Sequence, residues 1–355
     1  MAELADRLGP ALPSRYRLIR EIGRGGTACV FLAQESHPER EVAIKVLEPE
    51  ITALVGSERF LREVDFASKL SHPHILPIFA AGEADGLLYY VMPYVEGDTL
   101  RDRLARERVL PLDDALRIVL DVADALSYAH GHNVIHRDIK PDNILLQAGH
   151  AIVADFGIAR AITATGKGPL TGAGFIVGTP AYMSPEQASG SEVIDGRTDI
   201  YSLGCVLYEM LTGETPHTGA SPDAVIAKKL YSPVPRAAVL RPTVPESLET
   251  VLAVALARTP ADRYQTAAQF REALSAALPA PSAASPAAPF MRTSSPSPRA
   301  PGTWSPAARP PAVRTLSADA LESRWAHHCA RGRRSRELCR NDRGQLDRRP
   351  QRHRG

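Results

Sequence analysis

Residues 134–146 read VIHRDIKPDNILL. Two carboxylates, Asp138 and Asp142, two cations, Arg137 and Lys140, and one amide, Asn143, stand between the strand-like runs Val134-Ile135 and Ile144-Leu145-Leu146. Polar groups enclosed by apolar chain need partners, and this cluster points to a partner outside the protein. Asp155 follows in the triplet Asp155-Phe156-Gly157. Asp155 and Asn143 carry hard oxygen ligands of the kind Mg2+ takes beside phosphates. Asp138 is suited to accept the proton of an attacking hydroxyl or to orient it. Lys140 can neutralise a transferring phosphoryl group. The five-residue step from Asp138 to Asn143 lets one loop present both base and metal ligand.

A second set lies upstream. In GRGGTACV, Gly23, Gly25 and Gly26 sit in a strand–turn–strand context, where glycines let backbone amides approach phosphate oxygens closely. Alone this is a weak signal, since many such turns are only tight hairpins. It is not the strand-to-helix turn of a dinucleotide fold, and it lacks the GK[ST] ending of a P-loop. Lys45 lies inside the apolar run VAIKVL. A strand lysine points to solvent by default. Alternation, however, puts Lys45 on the face of Ala43 and opposite Ile44. Val30 and Ala43 together would roof a flat ligand, with Lys45 under the glycine turn. Its anion is expected to be Glu63, one position from the core residue Val64.

These groups need elements to hold them. YRLIREI, CVFLA and EVAIKVL predict antiparallel strands over residues 16–46, and two more are expected near 75–81 and 87–92. SERFLREVDFASKL has Phe60, Val64, Ala67 and Leu70 at helical spacing, with Ser57 as the expected N-cap. Beyond residue 95 the pattern turns helical. LDDALRIVLDVADALSYAHG is amphipathic, DIYSLGCVLYEMLTG is apolar nearly all round, and 246–257 and 266–278 also read as helices. At Pro279 the composition changes to a Pro/Ala/Ser-rich linker, 279–314, followed by an Arg-rich tail, 315–355, expected to be disordered.

The 355 residues carry a formal net charge of only +2, unevenly spread. Residues 315–355 hold eleven Arg, no Lys and five acids, so residues 1–278 are net acidic. That argues against a nucleic-acid-binding main domain. The tail admits three readings: a solvated charged segment, as charge runs usually are, a site for nucleic acid or anionic membrane, or the product of a shifted reading frame in GC-rich DNA. The four cysteines, Cys29, Cys205, Cys329 and Cys339, match no metal spacing and read as reduced thiols. No signal-peptide pattern opens the chain, and no run of about 18 apolar residues occurs. A cytoplasmic protein is the expectation.

Taken in order, the motifs resemble those of the protein kinases, specifically the eukaryotic-like serine/threonine kinases of bacteria. The glycine loop is followed by AIK at 43–45, Glu63, HRD at 136–138 with Asn143, DFG at 155–157, SPE at 184–186 and DIYSLG at 199–204. The resemblance covers about residues 14–278. It implies an α+β, bilobal fold for the domain 1–278: a small antiparallel sheet lobe with one main helix (about 16–92), a hinge at 93–95, and a larger mainly helical lobe (about 96–278).

The same resemblance implies ATP and Mg2+ as cofactors, with Mn2+ able to substitute, and Ser/Thr hydroxyls of proteins as acceptors. Lys45, Glu63, Asp138, Lys140 and Asn143 would carry the chemistry, with Asn143 and Asp155 on the metal. Ile22, Gly23, Gly25, Gly26, Val30, Ala43 and Leu145 would enclose the nucleotide. Met92 matches the gatekeeper, Pro93 and Val95 the hinge, and Asp98 the ribose contact. Ile78, Ala67, Phe156 and His136 would stack between the lobes on Asp199, and Glu186 would pair with Arg263. Thr179 would contact both Asp138 and Lys140. Arg137 would pair with a phosphate on the segment 155–186, where Thr163, Thr165 and, above all, Thr171 are acceptors for autophosphorylation between self-associating copies. The third glycine of the loop is Ala28 here, and APE reads SPE. The alternative, a nucleotide-binding pseudokinase scaffold, would lack one of Lys45, Asp138, Asn143 or Asp155, and none is missing. A small-molecule phosphotransferase is disfavoured by SPE and DIYSLG.

Overall fold

Alternation of apolar and polar residues builds the first lobe. In the computed structural model, which describes residues 2–156 and 179–277, β1 (Tyr16–Arg24), β2 (Ala28–Ser36), β3 (Glu39–Leu47), β4 (Ala80–Ala84) and β5 (Leu87–Pro93) form one antiparallel sheet in the order β1-β2-β3-β5-β4. β3 sits centrally, with Val30 opposite Lys45 on one side and Tyr90 opposite Lys45 on the other. One sheet face buries Ala43, Leu88, Tyr90 and Met92 against Phe60 and Val64 of α3 (Ser57–Ser68). The other buries Phe31, Ile44 and Val91 against Leu8 and Leu12. Fully burying a side chain such as Phe60 or Ile44 contributes about 1.5–3 kcal/mol.

Three details depart from the sequence-based expectation. A helix, α1 (Ala2–Ala11), precedes the sheet and covers its outer face, and α2 (Pro49–Val55) precedes α3. The cap of α3 is Gly56, whose φ of 76° is open to glycine; Ser57 is already helical and its hydroxyl donates to Glu83. The first of the two later strands is β4 at Ala80–Ala84, while Ile75 forms an isolated bridge to Val153 in the second lobe.

The second lobe opens with β6 (Asp98–Thr99) and α4 (Leu100–Glu107), joined by a capping box in which Thr99 Oγ1 accepts from Asp102 N and Asp102 Oδ2 accepts from Thr99 N. Next come α5 (Leu112–Gly131) and the hairpin β7 (Ile144–Gln147) and β8 (His150–Val153). Among the described residues, α6 (Pro185–Ala188), α7 (Arg197–Thr212), α8 (Pro222–Tyr231), α9 (Ala237–Leu240), α10 (Glu246–Ala255) and α11 (Ala267–Ala277) complete the lobe. α7 is buried from Thr198 to Leu211, as its apolar run predicts, and Gly213 ends it at φ 82°. Its core is shared with Leu116, Val119, Ala123 and Leu126 of α5. The described residues belong to one compact unit, Met1–Pro286. No described helix is long and apolar enough to cross a membrane. The linker and the tail lie outside the described residues.

Candidate active site

The loop between α5 and β7 is held from below by one buried carboxylate. Asp199, at the start of α7, accepts from His136 N (2.9 Å), Arg137 N (2.7 Å) and His130 Nε2 (2.8 Å). Burial alone would raise its pKa, but His130, His136 and the backbone donors hold the carboxyl below the usual range. These bonds support Arg137 at φ 68°, a conformation rare for a residue with a side chain. Gln187 Nε2 adds a bond to Arg137 O at 2.7 Å. The His136 ring donates to Ala154 O (2.8 Å) and meets Phe156 edge-on at 4.7 Å. Ala67 and Phe156 are buried in the helical-lobe core, and Ile78 packs against it.

On that base, Asp138 receives Lys140 Nζ at 2.7 Å and Asn143 Nδ2 at 3.1 Å, both on Oδ2. Asn143 Nδ2 also donates to Asp138 O at 2.8 Å. Asp138 Oδ1 makes no hydrogen bond among the described residues, and the side chain is 29% exposed. Burial would lower the Lys140 pKa, but Asp138 first, then Asp142 and Asp155, hold the ammonium above its ordinary value.

Across the cleft, Lys45 of β3 pairs with Asp155 Oδ2, and Tyr90 of β5 donates to Asp155 Oδ1. The carboxylate is therefore gripped by two strands of the sheet lobe while it belongs to the helical lobe. Asp155 also sits at φ 69°. Its burial favours the neutral acid, yet the Lys45 charge and the Lys45 and Tyr90 hydrogen bonds keep the pKa low. Glu63, expected as the anion for Lys45, is half-buried on α3, and the lysine's ion pair is with Asp155. Tyr90 was not foreseen from the sequence. Its signal was its position, directly opposite Lys45 in a fully apolar strand.

The expected nucleotide-lining residues are brought together. Ala43 and Met92 belong to one apolar cluster against which Ile22, Val30, Val95 and Leu145 pack. Pro93 pairs with Val42 where β5 ends. Gly23 lies opposite Val30, and a side chain added at Gly26 would meet nothing within 4 Å, so the turn is open. Ala28 does not intrude there, since its methyl is buried in the same cluster. Asp98 is adjacent through the pairing of β6 with β7, but its carboxylate is exposed and bound by Arg106 at 2.7 Å. Thr179 corrects another expectation: it is exposed, and its hydroxyl bonds to neither Asp138 nor Lys140. Glu186 and Arg263 form the expected pair, two bonds of 2.7 Å with the Arg263 side chain fully buried. Gly157, Thr163, Thr165 and Thr171 lie outside the described residues.

The donor set fits Mg2+. Asp155 is kept as a carboxylate, and Asn143, donating twice through Nδ2, leaves Oδ1 without a hydrogen bond among the described residues. Two hard oxygens on opposite sides of one loop–strand hairpin are what this ion takes when phosphates supply the rest.

Comparison with known proteins agrees with this geometry. Residues 16–274 match the protein kinase domain family. The serine/threonine-protein kinase PknB of Mycolicibacterium smegmatis is 43% identical over 267 residues, covering 73% of this chain and 42% of that protein. PrkC of Bacillus subtilis is 40% identical over 264 residues, 73% of this chain and 40% of its own length. PknD of Mycobacterium tuberculosis is 41% identical over 268 residues, 75% of this chain and 39% of its own length. The chain thus spans about two fifths of the length of these curated relatives. It belongs to the protein kinase family, in the bacterial eukaryotic-like serine/threonine branch.

Proposed function

We propose that the chain transfers the γ-phosphate of ATP, with Mg2+, to Ser or Thr hydroxyls of proteins. The observation that carries this reading is the Asp138 carboxylate. Lys140 and Asn143 both bind Oδ2, which leaves Oδ1 open to accept a proton from a hydroxyl. Lys140 stands beside it as a point charge for the developing negative charge on the transferring group. Asn143 fixes the carboxylate and, with Asp155, would hold the metal. When bound, Mg2+ neutralises phosphate charge and orients the terminal group. Lys45 lies beneath the open glycine turn, and Ala43, Met92 and Leu145 supply the apolar walls for the base. The buried free thiols Cys29 and Cys205 support a reducing, cytoplasmic setting. Control by autophosphorylation between copies, with Thr171 as the favoured acceptor, is part of the proposal, and peptide mapping after incubation with ATP tests it.

The direct test is transfer of labelled γ-phosphate to the chain itself and to a generic basic protein, beside Asp138→Asn. A general base contributes on the order of 10²–10⁴ in rate, so the variant should be nearly silent while still binding ATP. Phosphothreonine or phosphoserine on wild type alone is the expected result. A folded, ATP-binding wild type with no label would overturn the reading in favour of a nucleotide-binding scaffold.

A further inference from the structure

His74, Asp121 and His150 lie far apart in the sequence, and the fold brings them to one spot on the side of the second lobe. His74 precedes β4, Asp121 is on α5, and His150 opens β8. Their ligand atoms all lie within 4.8 Å of one another. His74 Nε2 is 3.6 Å from Asp121 Oδ1, and His150 Nδ1 is 3.4 Å from Asp121 Oδ2.

The tautomer of His74 is decided by its other nitrogen. Nδ1 is 2.8 Å from Ala151 O, and a carbonyl only accepts, so Nδ1 carries the proton. In the neutral ring, Nε2 is then a lone pair facing a carboxylate. Two acceptors confront each other at a distance too long for a good hydrogen bond. Something positive belongs between them: the second proton of an imidazolium, or a metal cation. Donor atoms about 2.0–2.1 Å from a tetrahedral Zn2+ are about 3.3–3.4 Å from one another. The two nitrogen–oxygen spacings, each to a different oxygen of Asp121, are close to that figure.

The supporting shell is also present. Ala151 N donates to Asp121 Oδ2 at 3.0 Å, so the backbone of one residue orients two of the three ligands. Ligating histidines characteristically donate their other N–H to a carbonyl in this way. The segment bearing His74 is pinned to β8 by Leu76 N to Val153 O and Val153 N to His74 O, both 2.9 Å. His74 and Asp121 are largely buried while the His150 side chain is 65% exposed, which leaves an approach for an ion and room for a water ligand.

We propose that His74, Asp121 and His150 form a site for a divalent transition-metal ion, Zn2+ by its donor set, that staples the segment before β4 to α5 and β8. Two imidazoles and one carboxylate with an open fourth position suit Zn2+ better than Mg2+ or Ca2+. His150 stands at the turn end of the β7–β8 hairpin, Asn143 and Asp155 flank its other end, and the two sites share no ligand. Its effect is on stability, because an ion bound only by the folded state shifts the unfolding equilibrium.

The test uses the full chain, freed of any affinity tag and stripped of metal. Co2+ is added as a spectroscopic probe and Zn2+ as the competitor. The expected result is a visible absorption band of a four-coordinate nitrogen–oxygen site, displaced by Zn2+, and a rise in melting temperature with Zn2+. His150→Gln, at an exposed position, and His74→Gln should each abolish the band and the rise. The tail's His327, His328, Cys329 and Cys339 can also take metal, so the signal is the difference between wild type and these variants. The same band in His150→Gln as in wild type would overturn the proposal. So would a wild type whose melting temperature and absorption are indifferent to the added ions.

Discussion

The Tyr90 hydroxyl donates to Asp155 Oδ1, while Lys45 takes Oδ2, so one carboxylate of the helical lobe is shared between two neighbouring strands of the sheet lobe. Tyr90 is fully buried, and burial followed by the nearby Asp155 charge pushes its phenol well above its ordinary pKa, so it acts only as a donor. Tyr90→Phe keeps the ring against Phe60 and removes only that donor. A hydrogen bond to a charged group contributes about 1.5–3 kcal/mol, equivalent to about one to two pH units. Asp155 has a depressed folded pKa, so its ionised form is fully present above the unfolded value and lost as pH falls through the folded one. The variant should lose kcat/KM on the acid side at a pH up to about one to two units higher than wild type. An acid limb that does not move would mean the hydroxyl leaves the carboxylate in the working enzyme.

Lys45→Met should be more than a loss of activity. The pair it breaks is mostly out of solvent, with side-chain exposures of 20% and 12%. Removing one partner of a buried ion pair typically costs about 3–5 kcal/mol, because the other charge is left uncompensated. Urea midpoints should fall accordingly. In an Asp155→Asn background the same substitution should cost much less, since no charge is then stranded, and this coupling is what the double-mutant cycle reads. Equal costs in both backgrounds would show that the two side chains are not paired in solution.

The parts legible in the sequence were those whose period or motif is local. The alternation around Lys45 correctly put it with Ala43 and against Ile44, which face opposite sides of β3. The spacing Asp138–Asn143 correctly put both groups on one loop, within hydrogen-bonding reach. What escaped is set by tertiary context. Ala80–Ala84 reads AAGEA, with little strand propensity, and is a strand because Leu87–Pro93 pairs with it. The α1 helix contains Gly9 and Pro10, which blur its period, and it is held by packing Leu8 on the sheet. The choice of Asp155 over Glu63 at Lys45 depends on how the lobes meet, which no local pattern records.

Asp199→Asn tests how firmly α7 supports the catalytic loop. Each of its three donors points at a carboxylate oxygen, and an amide nitrogen placed there would face an N–H. Losing charge-assisted bonds of this kind costs about 1.5–3 kcal/mol each. Because the folded pKa of Asp199 is depressed, its contribution is present above the unfolded value of about 3.9 and lost as pH falls through the folded one. The variant should therefore be destabilised at neutral pH and show a shallower stability loss on acidification. It should also lower kcat more than it raises KM for ATP, since His136 and Arg137 position Asp138 and do not line the nucleotide. A kcat unchanged in a folded variant would remove Asp199 from the positioning of the loop.

Arg263→Lys is the sharpest test of the lower lobe, because it preserves the charge and removes only the fork. Arg263 donates to both Glu186 oxygens at 2.7 Å and also to Ala257 O, Arg258 O and Arg197 O. A lysine offers one point of attachment and cannot meet a planar carboxylate side-on. Burial pushes the Glu186 pKa up, and the Arg263 fork is the chief force holding the carboxyl low, so that carboxylate would be left partly unpaired. The expected cost approaches the roughly 3–5 kcal/mol of breaking a buried pair, read as a lower urea midpoint with an unchanged slope. Glu186 lies in the single turn of α6, and Gln187 of the same turn reaches Arg137 O beside Asp138. Activity measured well below the melting temperature should therefore fall as well. A variant that melts early but retains full activity when folded would show that this turn stabilises the lobe without helping to place Asp138.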